Sequence, residues 1–316
     1  MFNQETQEAC LRFEQFLKQV PPLCEEGEKN PAQVQNVAHL KRAVEYYLQD
    51  PEFRADFSED PDGTLGKYAL HIEPLCVQAI IDPKVSSRLI KDLAGLPLPL
   101  KQYYAFLNEK LEWRNHAQAQ GCVPTNPAFK KWRQRQVNRC WGAFSGGNFV
   151  FIHVPLVFEL SLGCSVGCPF CALAAQPLKS VFRASEANLA LWMEVLTRSR
   201  KIIGPAAGEG ICYCASEPLD NPDYEIFSAI FEEIMGRKPQ ITTAAALRNP
   251  ERTRALLQKG REGKPIIHRF SLLELAAFRK VCQLFTPEEL LYVELLPRYP
   301  EALMNVLAKA GRSREV

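Results

Sequence analysis

Three cysteines stand close together in the segment Glu159–Cys171, whose sequence is ELSLGCSVGCPFC. Cys164, Cys168 and Cys171 have the spacing C-x3-C-x2-C and follow an apolar run, residues 154–162, that predicts a buried strand. Cysteine thiolates bind soft metals, and four of them usually complete a zinc site or an iron–sulfur cluster. Three thiolates on one loop would leave one position of a cluster open to another ligand. Two other interpretations stay open: buried structural thiols, or zinc ligands whose fourth partner lies elsewhere.

This spacing, with an aromatic residue directly before the last cysteine, resembles the signature of the radical S-adenosylmethionine (SAM) superfamily. The resemblance implies an α/β fold with a partial (β/α) barrel and a [4Fe–4S] cluster whose open iron binds SAM. It also implies an electron donor such as flavodoxin or ferredoxin, which reduces the cluster so that SAM is cleaved to a 5′-deoxyadenosyl radical. By the same resemblance, Phe170 would lie over the adenine.

A second candidate segment, Cys214–Asp220, has the sequence CASEPLD and ends the next predicted strand. Catalytic groups of such barrels stand at the carboxyl ends of the strands. In the radical SAM superfamily a GGEP sequence at this point holds the SAM amino group. The matching positions here are Ala215, Ser216, Glu217 and Pro218, with both glycines replaced. Ser216 and Glu217 are therefore the expected cofactor contacts, and a surface turn is the alternative interpretation.

Four further cofactor contacts are expected from position alone. Arg269 and Ser271 end the fourth predicted strand, where the resemblance implies contacts to the ribose and the carboxylate. Glu294 and Leu296 stand on the fifth predicted strand, where the adenine pocket is usually completed. Core packing and structural ion pairs are the alternative explanations for these residues.

The composition restricts the kind of protein that this chain can be. The chain has 316 residues, of which 47% are hydrophobic and 23% charged, with a net charge of +2. These values are typical of a globular protein with an ample core. No apolar run is long enough to span a bilayer, and the N-terminal residues lack the features of a secretory signal, so we expect a cytoplasmic protein. Neither nucleic acid nor a membrane is an expected partner. The odd number of mostly scattered cysteines does not predict a disulfide framework.

The pattern of elements changes near residue 150. Residues 1–150 carry helical patterns and are predicted to form an all-helical domain, while residues 151–316 alternate strands with helices in five βα units. The predicted strands are 151–162, 210–215, 240–244, 265–271 and 291–296, and the helices that follow them are 184–198, 223–235, 250–259, 273–284 and 300–310. A radical SAM barrel normally has six units. The sixth is apparently missing, so the chain is truncated or another segment or copy covers the open edge.

Longer strings extend the resemblance to a narrower family. IIGPAAGEGICYCASEPLDNPDYE, FELSLGCSVGCPFC, ERTRALL and CVPTNPAFKKWRQRQVNRC resemble the radical SAM amino-acid epimerases that mature ribosomally made peptides of the proteusin type. The resemblance covers nearly the whole chain. It implies a precursor peptide as partner and the conversion of chosen L-residues to D-residues within that peptide. The radical would remove the Cα hydrogen, and a cysteine thiol would return one from the opposite face.

Cys214 is the first candidate for this hydrogen donor, and Cys212 is the second. Period-two alternation would place both thiols on one face of the second predicted strand. The donor could also lie in a part of the family's sequence that this chain lacks.

The segment expected to bind the leader of the precursor is N-terminal. Residues 46–70, YYLQDPEFRADFSEDPDGTLGKYAL, resemble the helical leaders of certain ribosomal peptide precursors, those related to a small nitrogen-fixation protein. An ordinary acidic helical hairpin is the alternative. Residues 110–139 interleave Trp113 and Trp132 with Lys and Arg, a pattern that can bind an acidic peptide or nucleic acid. A solvated helix face with Trp as its core anchor is the competing interpretation.

Other functions fit the same residues. A radical SAM enzyme could instead methylate or cross-link its peptide, although no auxiliary cysteine cluster supports thioether cross-linking. A truncated or inactive homologue could only bind the leader. A zinc or iron–sulfur protein without SAM chemistry is a third possibility.

Overall fold

The computed structural model describes residues 13, 15–23, 30–89, 92–93, 95–144, 148, 151–259, 266–305 and 310–314. The chain forms two compact units. The first comprises Met1–Leu111, Arg261–Pro265 and Leu272–Asn305, and the second comprises Glu112–Gly260, Ile266–Ser271 and Val306–Val316. The division into domains near residue 150 stays a prediction, because these units describe spatial grouping rather than independent folding.

The described helices and strands follow in chain order. They are α1 (Pro31–Gln49), α2 (Pro51–Glu59), α3 (Pro61–Lys67), α4 (Pro74–Ile81), α5 (Pro83–Leu89), α6 (Leu98–His116), α7 (Pro127–Phe144), β1 (Ser161–Leu162), β2 (Ser180–Val181), α8 (Glu186–Ile203), α9 (Tyr224–Met235), β3 (Thr242–Thr243), α10 (Pro250–Lys259), β4 (His268–Leu272), α11 (Leu275–Leu284) and β5 (Val293–Pro297). Short 3₁₀ turns cover Pro205–Glu209, Pro218–Asp220 and Gly311–Arg314, and a π-helical turn, Ala117–Gly121, follows α6.

Helices α1 to α5 of the first unit all begin at proline. A proline in the first turn has no N–H to lose and a φ angle that suits a helix. The side chains of Asn30, Asp50 and Asp60 cap α1, α2 and α3 by accepting backbone N–H groups of the first turn. These local signals explain why the N-terminal helices predicted from sequence are present.

Helix α1 carries two buried cationic side chains, Lys41 and Arg42. Lys41 donates to the carbonyls of Leu290 and Val293 at 3.1 and 2.7 Å. The Arg42 guanidinium donates to carbonyls that follow α11, including that of Phe285. A buried cation is tolerated only where such acceptors replace water, so these bonds orient α1 within the unit.

The second unit is built on an aromatic core between α8 and α9. Trp192, Leu196, Phe227 and Phe231 are its buried centre, and the Trp192 indole N–H donates to the Phe227 carbonyl at 3.1 Å. This core supports the strand-like segment that leads to Leu160 and the cysteines. The packing therefore gives the cysteine region a rigid base.

The described strands pair with one another over only a few residues each. β1 pairs antiparallel with β2, and a three-stranded sheet has the order β3–β4–β5, with β3 and β4 parallel. Val157 forms an isolated parallel bridge with Ile211. The described residues form no closed barrel, and the partial-barrel fold stays a prediction.

The first two predicted strands are much shorter than expected. Residues 151–162 pair only at Val157 and in β1, and residues 210–215 pair only at Ile211. Val157 and Leu162 are 44% and 63% exposed, so the apolar run is not the fully buried strand that its composition predicted. The third, fourth and fifth predicted strands are present as β3, β4 and β5, and the first four predicted helices as α8 to α11.

The last predicted helix is wrong over residues 300–305, and residues 306–309 lie outside the described part. The large apolar side chains of this segment, Leu303 and Met304, are 58% and 61% exposed, so they supply no buried face to stabilise a helix. The Leu303 N–H instead donates to the Leu48 carbonyl at 2.8 Å. No helix within the described residues is both long and apolar enough to cross a membrane.

Candidate functional site

The cysteine loop, residues 163–179, connects β1 to β2. Its two ends are held together because the Lys179 N–H donates to the Leu162 carbonyl at 2.8 Å. Gly163 opens the loop with a φ of 89°, and a Cβ at this position would overlap the Pro177 carbonyl oxygen. Only glycine tolerates both conditions, so the residue before the first cysteine determines how the chain enters the loop.

The three thiols of the loop are free and half-buried, and they influence one another. Burial raises the pKa of Cys164, while hydrogen bonds from the backbone of Val166 and Gly167 oppose that rise. Burial also raises the pKa of Cys168, and negative charge on Cys164 and Cys171 raises it further. Three sulfurs that repel one another when ionised form a site where positive charge would be stabilised.

The donor set fits an iron–sulfur cluster. Besides the N–H groups directed at Cys164, the Ala175 N–H donates to the Cys171 sulfur at 3.5 Å. Hydrogen bonds to ligand sulfurs help to set the potential of such clusters. Among the described residues no three His, Cys, Asp or Glu side chains are arranged to hold a single metal ion. A cluster distributes its cysteines over separate irons, so it does not require the sulfurs to meet at one point. The cluster itself stays a prediction.

An ionic contact ties the start of the loop to the segment that follows Glu217. The Ser165 N–H donates to Asp220 Oδ2 at 2.8 Å, and the Ser165 hydroxyl donates to Asp220 Oδ1. The Arg248 guanidinium, just before α10, donates to Ser165 Oγ at 2.5 Å and to Asp220 Oδ1 at 3.2 Å. The cysteine loop is thus fixed to both the second and the third βα connections.

The two candidate hydrogen donors have different environments. Cys212 is 2% exposed in the core, and burial raises its pKa. Cys214 is exposed, and its pKa is raised by partial burial and then by negative charge on Glu159 and Cys171. The expectation that both thiols share one strand face is wrong, because strand pairing ends at Ile211 and the chain bends there.

The expected SAM contacts of the second segment are engaged within the protein. The Glu217 carboxylate is buried and accepts from the Thr243 hydroxyl and from the backbone N–H groups of Ala244 and Leu219. Burial raises the pKa of Glu217, and these three donors oppose the rise. Ser216 donates through its hydroxyl to Glu159. The cofactor roles of Ser216 and Glu217 stay predictions.

Arg269 and Ser271 lie on the less buried face of β4, as period-two alternation requires. Burial raises the pKa of Tyr213, while its hydrogen bond with Thr242 and the charge of Arg269 oppose that rise. The Tyr213 hydroxyl contacts Thr242 Oγ1 at 2.7 Å and also donates to Gln240. Arg269 is thus near a polar cluster at the end of the second strand segment, and its contact with SAM stays a prediction.

The remaining candidates are in separate places. Phe170 is half-buried on the cysteine loop, between the last two cysteines. Glu294 belongs to the first unit, where its carboxylate pairs with Lys110 at 3.4 Å. The ion pair that the sequence analysis gave as the alternative explanation for Glu294 is therefore present. A role of Glu294 in an adenine pocket stays a prediction.

Sequence reasoning missed Arg312, which holds the second half of the cysteine loop. Its Nε donates to the Cys168 carbonyl at 3.0 Å, one terminal nitrogen donates to the Ala175 carbonyl at 2.9 Å, and its backbone N–H donates to the Cys171 carbonyl at 3.0 Å. No periodicity connects residue 312 with residue 168. Asp220, in contrast, stands three residues after Glu217 and could have been found from that proximity.

Helix α7 carries most of the Lys and Arg residues of segment 110–139, and none of its residues 127–142 is buried. Trp132 is 48% exposed and stacks on Phe129, with ring centroids 5.3 Å apart. The interpretation of Trp132 as a core anchor is therefore wrong. Trp113 instead faces the guanidinium of Arg237, 5.0 Å from its ring centroid.

Comparison with known proteins finds a relative named as an uncharacterized protein, y4wI, of Sinorhizobium fredii (strain NBRC 101917 / NGR234). It is 34% identical to this chain over 294 residues, which cover 92% of this chain and 57% of the relative. The chain therefore spans little more than half of that relative's length. No family model matches the chain, and no solved structure matches it.

Proposed function

We propose that this protein is a radical SAM peptide epimerase, which converts L-residues to D-residues in a ribosomally made precursor. The observation that carries the proposal is the position of four thiols: three on one loop, Cys164, Cys168 and Cys171, and an exposed fourth, Cys214, on the segment whose Asp220 binds Ser165 of that loop. A bound [4Fe–4S] cluster and SAM would supply the radical that removes the Cα hydrogen.

The residues around the loop would position these groups. The Ser165–Asp220–Arg248 contact fixes the loop against the segment that contains Ser216 and Glu217. A carboxylate has about four acceptor positions, and Glu217 uses three of them, so one remains for the SAM amino group. Phe170, Arg269 and Ser271 would complete the SAM contacts.

Cys214 has the properties that a hydrogen donor needs. A thiolate has no hydrogen to give, and the environment of Cys214 raises the thiol pKa and so keeps the S–H bond. Its exposure lets a peptide reach the sulfur, whereas the burial of Cys212 does not. Transfer of the hydrogen would leave a thiyl radical at Cys214. One electron from a flavodoxin- or ferredoxin-type donor and one proton would restore the thiol.

The precursor's leader would bind to charged helices. Helix α7 exposes Trp132 among Lys and Arg side chains, and a surface of this kind suits an acidic amphipathic helix. Nine described cysteines are free, which suits a reducing, cytoplasmic location and forms part of this proposal.

Anaerobic reconstitution followed by reaction in heavy water tests the proposal. We expect cluster absorbance, deoxyadenosine formation, and one deuterium at each inverted Cα, since the returning hydrogen comes from an exchangeable thiol. Methylation would add about 14 mass units and cross-linking would remove about 2. Binding of the precursor without any mass change would support the inactive, leader-binding alternative.

Matched variants separate the steps of the reaction. Replacing Cys164, Cys168 and Cys171 together by Ala should abolish both the cluster and SAM cleavage. Cys214→Ala should keep SAM cleavage and lose D-residue formation, while Cys212→Ala, the control, keeps both. Full epimerisation by Cys214→Ala would exclude Cys214 as the donor.

A further inference from the structure

The Gly311–Arg314 turn lies directly against the cysteine loop. Three donors of Arg312 reach three loop carbonyls, those of Cys168, Cys171 and Ala175, at 2.9 to 3.0 Å. Two of these carbonyls belong to candidate cluster ligands. A displacement of Arg312 would leave all three carbonyls without this donor.

Gly311 permits this close approach. Its φ is 54°, and a Cβ there would lie 2.5 Å from the carbonyl oxygens of Cys171 and Ala172. Real Cβ atoms do not approach oxygen so closely, so a side chain at residue 311 would push the turn away from the loop. Glycine at this position and arginine at the next therefore act on the same contact.

We propose that Arg312 is a positioning residue, which clasps the second half of the cysteine loop and holds Cys168 and Cys171 in place to bind the cluster. A second part of the inference rests on the proposed function. In the cluster-bound protein the positive charge of Arg312 stabilises the reduced state of the cluster relative to the oxidised state. Reduction adds one negative charge to the cluster, and a cation close to its ligands stabilises that charge.

The geometry explains why arginine suits this position. A planar guanidinium offers several N–H groups in fixed directions, so one side chain can bridge the carbonyls of Cys168 and Ala175. Lysine carries the same charge on a single nitrogen and would not reproduce the bridge. The variant Arg312→Lys therefore separates the bridging effect from the charge effect.

Thiol alkylation of the cluster-free protein tests the clasp. Arg312→Ala removes two side-chain hydrogen bonds from a charged group, and a single bond of this type already exceeds the free energy that corresponds to a tenfold change. In Arg312→Ala we therefore expect iodoacetamide to modify Cys168 and Cys171 at least about tenfold faster, as resolved by peptide mass spectrometry. Cys76, buried in the first unit, should stay protected, which excludes global unfolding.

Three further variants complete this test. Arg312→Lys and Gly311→Ala should show the same selective acceleration, and either of them answers the question if Arg312→Ala does not fold. Arg198→Ala removes an arginine that is 74% exposed on α8 and should leave all rates unchanged. Alkylation of Cys168 and Cys171 at the wild-type rate in the Arg312 variants would refute the proposal that Arg312 holds the loop.

Redox titration of the reconstituted protein tests the charge effect. The midpoint potential should shift to more negative values in Arg312→Ala and stay near the wild-type value in Arg312→Lys. An unchanged potential in Arg312→Ala would refute this part alone. If no variant, including the wild type, binds a cluster, the proposed function fails, whereas the alkylation rates still decide whether the clasp exists.

Discussion

Asp220→Asn is the sharpest test of how the start of the cysteine loop is held. The Asp220 side chain is 3% exposed, and its two oxygens accept from Ser165 and Arg248. An asparagine of the same shape has one acceptor oxygen and one donor nitrogen. In either orientation its nitrogen faces an N–H or O–H group, so at least one of these bonds is lost.

The magnitude follows from the type of bond lost. A hydrogen bond to a charged group is worth about 1.5–3 kcal/mol, and because Ser165 is exposed, water can replace part of it, so we take about 2 kcal/mol. That value corresponds to about a 30-fold higher population of the open loop. The Ser165 amide should therefore exchange its hydrogen about 30-fold faster in deuterated buffer.

Asp223→Asn is the matched control. Asp223 also holds a backbone N–H, that of Ala184 at 2.9 Å, and pairs with Arg183, but it does not contact the loop through these bonds. Its variant should accelerate exchange at Ala184 and leave Ser165 unchanged. Wild-type exchange of Ser165 in Asp220→Asn would refute the reasoning, and so would equal acceleration at both amides in both variants.

Three other predictions concern stability and thiol reactivity. Arg279→Ala removes the bidentate partner of the buried Asp50 carboxylate and should cost about 2 kcal/mol in urea unfolding at pH 7, less than for a fully buried pair because Arg279 is partly exposed. Burial raises the pKa of Asp50, but the Arg279 and backbone hydrogen bonds outweigh it and hold that pKa below its ordinary 3.8. The contribution should therefore be complete at pH 7 and disappear as Asp50 is protonated at more acid pH, so a cost that persists at the acid end contradicts this assignment. In the native, cluster-free protein, iodoacetamide should modify Cys214 more than about 100-fold faster than Cys212, since the buried thiol reacts only after a local opening that costs several kcal/mol; similar rates would contradict the burial difference. Trp192→Ala should lower the free energy of unfolding by about 4 kcal/mol in the same urea measurement, because it leaves a cavity in the core of the second unit and removes an indole hydrogen bond. A decrease below about 1 kcal/mol would show that Trp192 is not tightly packed.

Local signals in the sequence were sufficient for several features. The helical pattern of the N-terminal residues was readable, and Asn30, Asp50 and Asp60, each followed by proline, cap three of the helices found there. The alternation of β4 was also readable, so the placement of Arg269 and Ser271 on one face followed from period two. Such features depend on neighbours within a few residues, which the sequence displays directly.

Long-range burial could not be read in the same way. The apolar residues that predicted a fully buried first strand include Val157 and Leu162, which are exposed, and Trp132 on α7 is exposed as well. Cys212 and Cys214 are two residues apart, yet one lies in the core and the other at the surface. The type of an apolar residue determines how much free energy its burial would contribute. Whether the residue is buried depends on how distant segments pack against it.

The sequence by itself determined which cysteines share the loop, through the C-x3-C-x2-C spacing. What holds that loop was decided by tertiary structure alone. Arg248 and Arg312 are far from the cysteines along the chain, and they reach Ser165 and the carbonyl of Cys168 only because the fold returns them there. The spacing of the cysteines in the sequence predicts that they share a loop. A hydrogen bond between residues 144 positions apart cannot be predicted in this way, because it depends on the path of the whole chain between them.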